Sequence, residues 1–367
     1  MDKKMKTIGI AAVAVLWACL AVAVWVMPAK ETSLSERRPL AQFPQVSGDT
    51  ILSGKFMTDF EKYTLDQFPA RDIFRSVKSL FHTYVLRQKD NNGIYIADGF
   101  AVKQEYPLNA QSVDYAATRF NYVYDQYLKD TGSKVYVAVI PDKGYYLAQD
   151  SGHLAMDYET LFTQVQAQMP WAKHIDLTGS LDKDSYYATD THWRQEKLLP
   201  AAQALCRGMG MTAPAAEDFT VTKVDRPFYG VYYGQAALPM KPDDMYILES
   251  RRLASCRVFD FETEGYGSVY DAQKLEGKDL YEVYLSGLKS LLRIENPDAQ
   301  TDRELIIFRD SFGSAVAPLL VSEYKTVTLV DIRYISSAQL HRYLDFTGQD
   351  VLFLYSSLVL NNANTIK

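Results

Sequence analysis

The chain begins with an uncharged run, Thr7 to Met27 (TIGIAAVAVLWACLAVAVWVM), preceded by Lys3, Lys4 and Lys6 and closed by Pro28. In a helix, at ~1.5 Å per residue, that run covers about 30 Å, the thickness of one hydrocarbon core. Its positive flank favours the cytoplasmic side, which places the rest of the chain outside the membrane. A cleaved signal peptide is the alternative. Its apolar region would be shorter and would end at an A-x-A-like site, whereas here the small residues lie inside the run. The expectation is a cytoplasmic tip and transmembrane signal anchor over 1–28, with a single-pass protein in the cell membrane.

Residues 29–54 mix Pro, Ser and charged side chains without periodicity and read as an extended tether. From Lys55 to Lys89 apolar residues recur at helical spacing and are interrupted at Pro69, which predicts a helix pair. GIYIADGFAV alternates about Asp98-Gly99, the dipeptide of a tight hairpin. Val113 to Leu128 has the apolar stripe of a long helix, and KVYVAVIP, Lys134 to Pro141, is a continuous β-branched run suited to a strand buried on both faces. The alternation continues with a helix near 158–169, a short strand at 174–177 and a helix after His192. A strand-rich insertion follows at about 219–270. Then come the strand in ELIIFRDSFG, a helix over SAVAPLLVSEY, the strand KTVTLVDI, a helix near 336–343 and the strand DVLFLYSS. Strands alternating with helices predict an α/β domain over 55–367, a mostly parallel sheet flanked by helices.

Composition narrows the classes. Of 367 residues, 47% are hydrophobic and 23% charged, the balance of a globular protein with a real core. A net charge of −6 with no Lys/Arg stripe argues against a nucleic-acid partner. Outside the apolar run only Cys206 and Cys256 remain, too few to staple a domain of this size. Two buried thiols fit them, with a single pairing left open. Neither has a CxxC partner, so no cysteine-built metal site is expected.

In parallel sheets, reactive side chains gather beyond the carboxyl ends of the strands. Ser311, in RDSFGSAVAPLL, falls at such an end, where the turn and the helix after it would aim N–H groups at a developing oxyanion. A serine hydroxyl needs a base within hydrogen-bond reach. In YYATDTHWRQ, Asp190 stands two places before His192, so on an extended loop both point one way. Asp190 would then orient His192 and His192 would activate Ser311. Asp190 and Asp310 can equally serve as helix caps, and a metal site from Asp190, His192 and Asp310 is the competing chemistry at the same place. Arg309, Asp310, Arg333, Tyr334 and Trp193 are further candidates for holding substrate or an oxyanion. Arg333 paired with Asp331, and Trp193 in the core, are the plainer readings. Among 26 tyrosines, those of PFYGVYYG, Pro227 to Gly234, offer sugar-stacking faces or, more simply, strand packing.

The blocks SERRPLAQFP, SGKFMTDFEKYTLDQFPARD, YYATDTHW, RDSFGSAVAPLL and VDIRY, in that order, resemble the DHHW family of exported bacterial proteins, relatives of the alginate O-acetyltransferases AlgJ and AlgX. The resemblance implies an SGNH-hydrolase-like domain in which Asp190 and His192 are the acid–base pair and Ser311 the nucleophile. Thr191 replaces the first His of the family's name motif. Arg309 stands where SGNH hydrolases usually carry Gly. The acid–base pair precedes the serine, as in the alginate enzymes. The chain stops soon after its last expected strand, so no carbohydrate-binding module is expected, as in the membrane-tethered AlgJ type. The activity implied is O-acetyl transfer to an extracellular or cell-envelope polysaccharide, without a cofactor. The partner implied is a multispanning membrane-bound O-acyltransferase that supplies acetyl. A carbohydrate esterase with the same triad and a non-catalytic glycan-binding scaffold are the competing functions.

Overall fold

The computed structural model describes residues 3–367 and divides into two compact units. The first runs to Asn92 and includes Tyr233–Pro239; the second comprises Gly93–Tyr232 and Met240–Lys367. The larger unit therefore begins at Gly93, where sequence reading begins the domain at Lys55.

In the first unit, the apolar run forms a helix over Lys3–Val26, of which Lys4–Val26 is long and apolar enough to cross a membrane. The stretch expected as an extended tether is folded. Thr32–Ser33 pairs antiparallel with Arg38–Pro39, and Ser47 caps a short helix, Gly48–Leu52. Arg38 binds both carboxylate oxygens of Asp66, at 2.6 and 2.9 Å, and Glu36 pairs with Arg71 and Arg75. Caps and ion pairs of this kind leave no periodic trace, which is why the pattern of apolar positions misses them. The predicted helix pair is present as Lys55–Asp66 and Arg71–Leu80, separated at Pro69.

The second unit is organised by an eight-stranded sheet. From edge to edge its strands are Gly265–Gly267, Arg257–Asp260, Leu291–Glu295, Thr326–Val330, Glu304–Arg309, Asp350–Ser356, Val135–Ile140 and Lys173–His174. The last five are mutually parallel and the first three are antiparallel additions. The region expected as an insertion divides. Thr220–Lys223 and Tyr246–Glu249 form a separate ribbon, whereas Arg257–Asp260 and Gly265–Gly267 extend the main sheet.

The continuous apolar strands follow from two cores. Leu305 and Ile307 face one with Leu205 of the helix Leu199–Met209, while Ile306 and Phe308 face the other with Phe120 of Ala110–Val123 and Leu161 of Tyr158–Gln168. Asp98-Gly99 turns the hairpin Ile94–Ala97/Phe100–Lys103 with φ of 48° and 83°, values that a two-residue turn requires. Parallel register aligns Phe308 with Val330, Arg309 with Leu354, and Ser356 with Ile140. The segments leaving those strands carry Ser311, Asp331, Ser357 and Lys143 to one edge of the sheet. Cys206 and Cys256 are buried and unpaired, and burial pushes their thiols up, to about 12 and about 11.

Candidate active site

YYATDTHW folds as a tight hairpin. Tyr186 bridges Trp193, the Tyr187 N–H donates to His192 O at 3.1 Å, and the Arg194 N–H donates to Ser185 O at 2.8 Å. Tyr186, Tyr187 and Trp193 have no exposed surface, so the aromatic stems bury themselves and leave Ala188–Thr191 as the tip. Asp243 accepts the N–H groups of Ala188 and Thr189 at 2.7 and 2.8 Å. Gly230 donates to Thr189 Oγ1 at 2.9 Å, and a Cβ there would lie 2.3 Å from Asp190 Cβ, so only glycine permits the approach.

Asp190 is fully buried. Its Oδ1 accepts the His192 backbone N–H at 3.0 Å and lies 2.6 Å from His192 Nδ1; its Oδ2 accepts the Val231 N–H at 2.8 Å. A carboxylate only accepts, so Nδ1 carries the ring proton and Nε2 is left as the acceptor. Ser311 Oγ lies 2.8 Å from that Nε2 and donates to it. The Tyr281 ring stacks on the imidazole with centroids 3.8 Å apart at 9°, and the Phe312 ring lies 5.0 Å away, which fixes the plane of the base. The His192 side chain keeps 12% of its surface exposed, so the inner acid is sealed while the outer pair meets solvent.

The strand Glu304–Arg309 delivers Ser311 through Asp310. Asp310 Oδ1 accepts the Phe312 N–H at 3.0 Å and Oδ2 accepts the Ser356 N–H at 2.8 Å, which ties the turn to the neighbouring strand. Trp193 donates its Nε1–H to Phe312 O at 3.0 Å and thereby joins hairpin to turn. The helix expected after the serine is α-helical only over Gly313–Val316 and continues as a 3₁₀ helix over Ala317–Glu323, since Pro318 contributes no N–H. The Gly313 N–H is bound to Asp310 O at 3.1 Å. With the Phe312 and Gly313 donors engaged, the Ser311 N–H is the turn's backbone donor without a hydrogen bond among the described residues.

Behind the hairpin lies Lys143, fully buried. Its Nζ donates to Tyr187 O at 2.9 Å and to Asp190 O at 2.7 Å, and sits 5.0 Å above the Tyr232 ring. Burial lowers this amine to about 7, opposed by the charges of Asp190, Asp243 and Asp142.

The other candidates are placed as follows. Arg309 is buried, with NH1 on Asp310 O and NH2 on Lys289 O, each at 3.3 Å, and Asp331 at 3.7 Å. None of those bonds goes to Ser311. Arg333 forms a two-pronged pair with the buried Asp331, at 2.9 and 2.6 Å, and its guanidinium lies 5.5 Å from the Tyr334 ring. Tyr334 is half exposed. PFYGVYYG is not a strand at its centre: Gly230 and Val231 cover the acid, a helix starts at Val231, and Tyr229 stays 41% exposed. Thr191 accepts from the Tyr232 hydroxyl at 3.0 Å. His153 stacks on Tyr95, and His174 Nε2 meets Met169 O. No group of three or more metal-ligating side chains occurs among the described residues.

Tyr281, Val231, Asp243 and Lys143 belong to neither YYATDTHW nor RDSFGSAVAPLL. Lys143 carries a signal, being a charge three residues after the uninterrupted buried strand Val135–Ile140. The others sit far from the motif in sequence and carry none.

The class of protein is an α/β fold in which a parallel strand delivers Ser311 to the sheet edge and a separate hairpin brings Asp190 and His192 to it. Residues 175–330 match the model of the DHHW protein family, in line with the resemblance of the motif blocks. The fold is shared with a DHHW family protein from Eubacterium siraeum, at 19% identity and a TM-score of 0.61, covering 76% of this chain and 95% of that one. It is shared equally with Bacillus cereus PatB1, solved with a sulfonyl adduct, at 18% identity and a TM-score of 0.61, covering 75% of this chain and 96% of that one. The O-acetyltransferase domain of Pseudomonas putida AlgJ superposes more loosely, with a TM-score of 0.45 at 15% identity over 73% of this chain and 92% of that one. Among curated proteins, none matches in sequence.

Proposed function

We propose that this chain is a membrane-tethered O-acetyltransferase that acetylates hydroxyls of an extracellular or cell-envelope polysaccharide through an acyl-serine. The observation that carries the reading is the unbroken chain from Asp190 Oδ1 to His192 Nδ1 at 2.6 Å and from Nε2 to Ser311 Oγ at 2.8 Å. Ser311 Oγ attacks the acetyl carbonyl while His192 Nε2 takes its proton, and that proton leaves with the donor's departing group. Asp190 stays ionised and stabilises the imidazolium. In the second half, His192 takes the proton of a sugar hydroxyl as its oxygen attacks the acyl-serine. The acetylated sugar departs and the proton returns to Ser311 Oγ. The Ser311 N–H is available to the oxyanion in both halves. Arg309 joins Asp310 O to Lys289 O and so supports the sheet edge behind the serine, while Arg333 is held by Asp331.

Lys4–Val26 supports a role as the anchor that keeps the domain outside the membrane. A membrane-bound acyltransferase passing acetyl outward is the supplier this mechanism calls for, and no dissociable cofactor enters the scheme.

The test is an acyl-donor assay with p-nitrophenyl acetate, with and without acceptor oligosaccharides. Acetyl should appear on the acceptor with wild type and not with Ser311→Ala. Release of acetate alone, with no product on any acceptor, would make the protein an esterase. Polymer acetylation unaffected by Ser311→Ala in cells would leave only a glycan-binding scaffold. Since PatB1 has been captured with a sulfonyl adduct, a sulfonyl fluoride is a direct probe here and should modify Ser311.

A further inference from the structure

The first unit exposes large apolar side chains close to the end of its long helix. Trp25 is the reference point. Its ring lies 6.2 Å from Phe43 and 6.0 Å from Phe60, and Phe43 passes the contact to Phe56 at 6.4 Å. A helix that crosses a bilayer sets its terminal tryptophan at the headgroup level, so side chains gathered about that ring share its depth.

Phe56 and Phe60 belong to the helix Lys55–Asp66, and the short helix Gly48–Leu52, which precedes it across a turn at Gly54 with φ 75°, packs against that helix. Phe43 is 50% exposed, Ile51 55%, Leu52 89% and Met57 65%. Leu52 is a bare leucine at the end of Gly48–Leu52, next in the chain to the exposed Ile51. Contiguous apolar surface of this sort marks a contact with something apolar. Lys55 and Lys62, with side chains 65% exposed, both pair with Asp59, at 2.5 and 3.5 Å, so exposure, and not these charges, marks the apolar residues.

We propose that Phe43, Ile51, Leu52 and Met57 form a collar seated in the bilayer interface where the span leaves the membrane, with lipid as its occupant. It rests on reading Lys4–Val26 as a span and is independent of the acyl-transfer chemistry. The collar gives the first unit a second attachment beside the span and restricts its tilt. A different apolar stripe, Ile73, Val77, Phe81 and Tyr84, has no ring contact with the Trp25 group among the described residues. The span does not fix its depth, and it is not part of the collar.

The test uses the full chain in phosphatidylethanolamine/phosphatidylglycerol vesicles, in a Cys19→Ala background. Cys206 and Cys256 are buried and do not label. An environment-sensitive fluorophore is placed by Leu52→Cys, which at 89% exposure disturbs no packing. Val13→Cys reports the span and Asp302→Cys reports water. With Leu52→Cys, emission should shift to the blue and be quenched more by doxyl groups near the lipid headgroup than by those at the acyl-chain end. Val13→Cys should show the opposite order. Water-like emission from Leu52→Cys, quenched by iodide as fully as that from Asp302→Cys, would overturn the collar. If Val13→Cys remains lipid-quenched in that case, the span stands and only the collar falls. Acyl transfer by the same labelled protein tests the proposed activity separately.

Discussion

The hairpin tip at Ala188–Thr191 and the turn at Asp310–Gly313 each hold a fully buried aspartate next to the candidate chemistry, and the two carboxylates do different work. Asp190 divides its oxygens between backbone N–H groups and an imidazole, so it orients the ring that faces Ser311. Asp310 gives both oxygens to backbone N–H groups of Phe312 and Ser356, so its charge holds a turn against a strand. Burial and residue type are the same; the partner decides whether the acid serves proton transfer or shape. The hairpin is also supported from behind by Lys143 and from above by Asp243 and Gly230, whereas the serine turn rests on Asp310, Trp193 and its own strand.

Removing the hydroxyl or the base should have the largest effect. Ser311→Ala and His192→Ala are expected to lower acyl transfer on the order of 10⁴-fold or more with the melting temperature nearly unchanged, read by the donor assay and thermal unfolding. Next comes the contrast between the acids. Asp190→Asn should cost on the order of 10³–10⁴ in kcat because the amide favours the wrong tautomer, with a stability loss of only about 1–3 kcal/mol because one buried N–H loses its acceptor. Asp310→Ala should instead lower stability by about 2–6 kcal/mol in urea unfolding, since two buried N–H groups lose their acceptor at ~1–3 kcal/mol each. Equal effects of the two substitutions on unfolding would erase the distinction.

Lys143 supplies a pH-dependent test. Its folded value of about 7 lies below the ordinary 10.5, so between those limits the unfolded chain binds more protons and stability rises with pH. The stability difference between wild type and Lys143→Met should therefore shift in favour of wild type as pH rises through that window, measured by chemical unfolding at several pH values. A constant difference would show that the amine stays charged in the fold. The smallest effect is at Tyr281. Leucine there removes the stack on His192, worth ~0.5–1.5 kcal/mol, and should lower kcat about two- to tenfold, while Tyr281→Phe keeps the ring and the rate.

Much of this arrangement is legible in the chain. Val135–Ile140, Glu304–Arg309 and Asp350–Ser356 announce themselves because strands covered on both faces must be apolar throughout. Asp190, His192 and Ser311 are visible as residue types at a strand end and on a short loop, and the structure brings them into hydrogen-bond reach. What the sequence hides is whatever depends on backbone donors or remote packing. Val231 reaches Asp190 through its N–H, which any residue but proline would supply. The folded form of 29–54 depends on Arg38 meeting Asp66, a pairing no local pattern encodes. The helix after Ser311 shortens because Pro318 falls inside it, a stop signal that the apolar stripe obscures.

The most direct test is to quench the protein with acid during turnover of an acetyl donor and map the modified peptide by mass spectrometry. The account predicts an acetyl group on Ser311 in wild type, accumulating when acceptor is withheld and discharged when acceptor is added. Acceptor acetylation that proceeds with Ser311 unmodified, or with the acetyl group on another side chain, would contradict it.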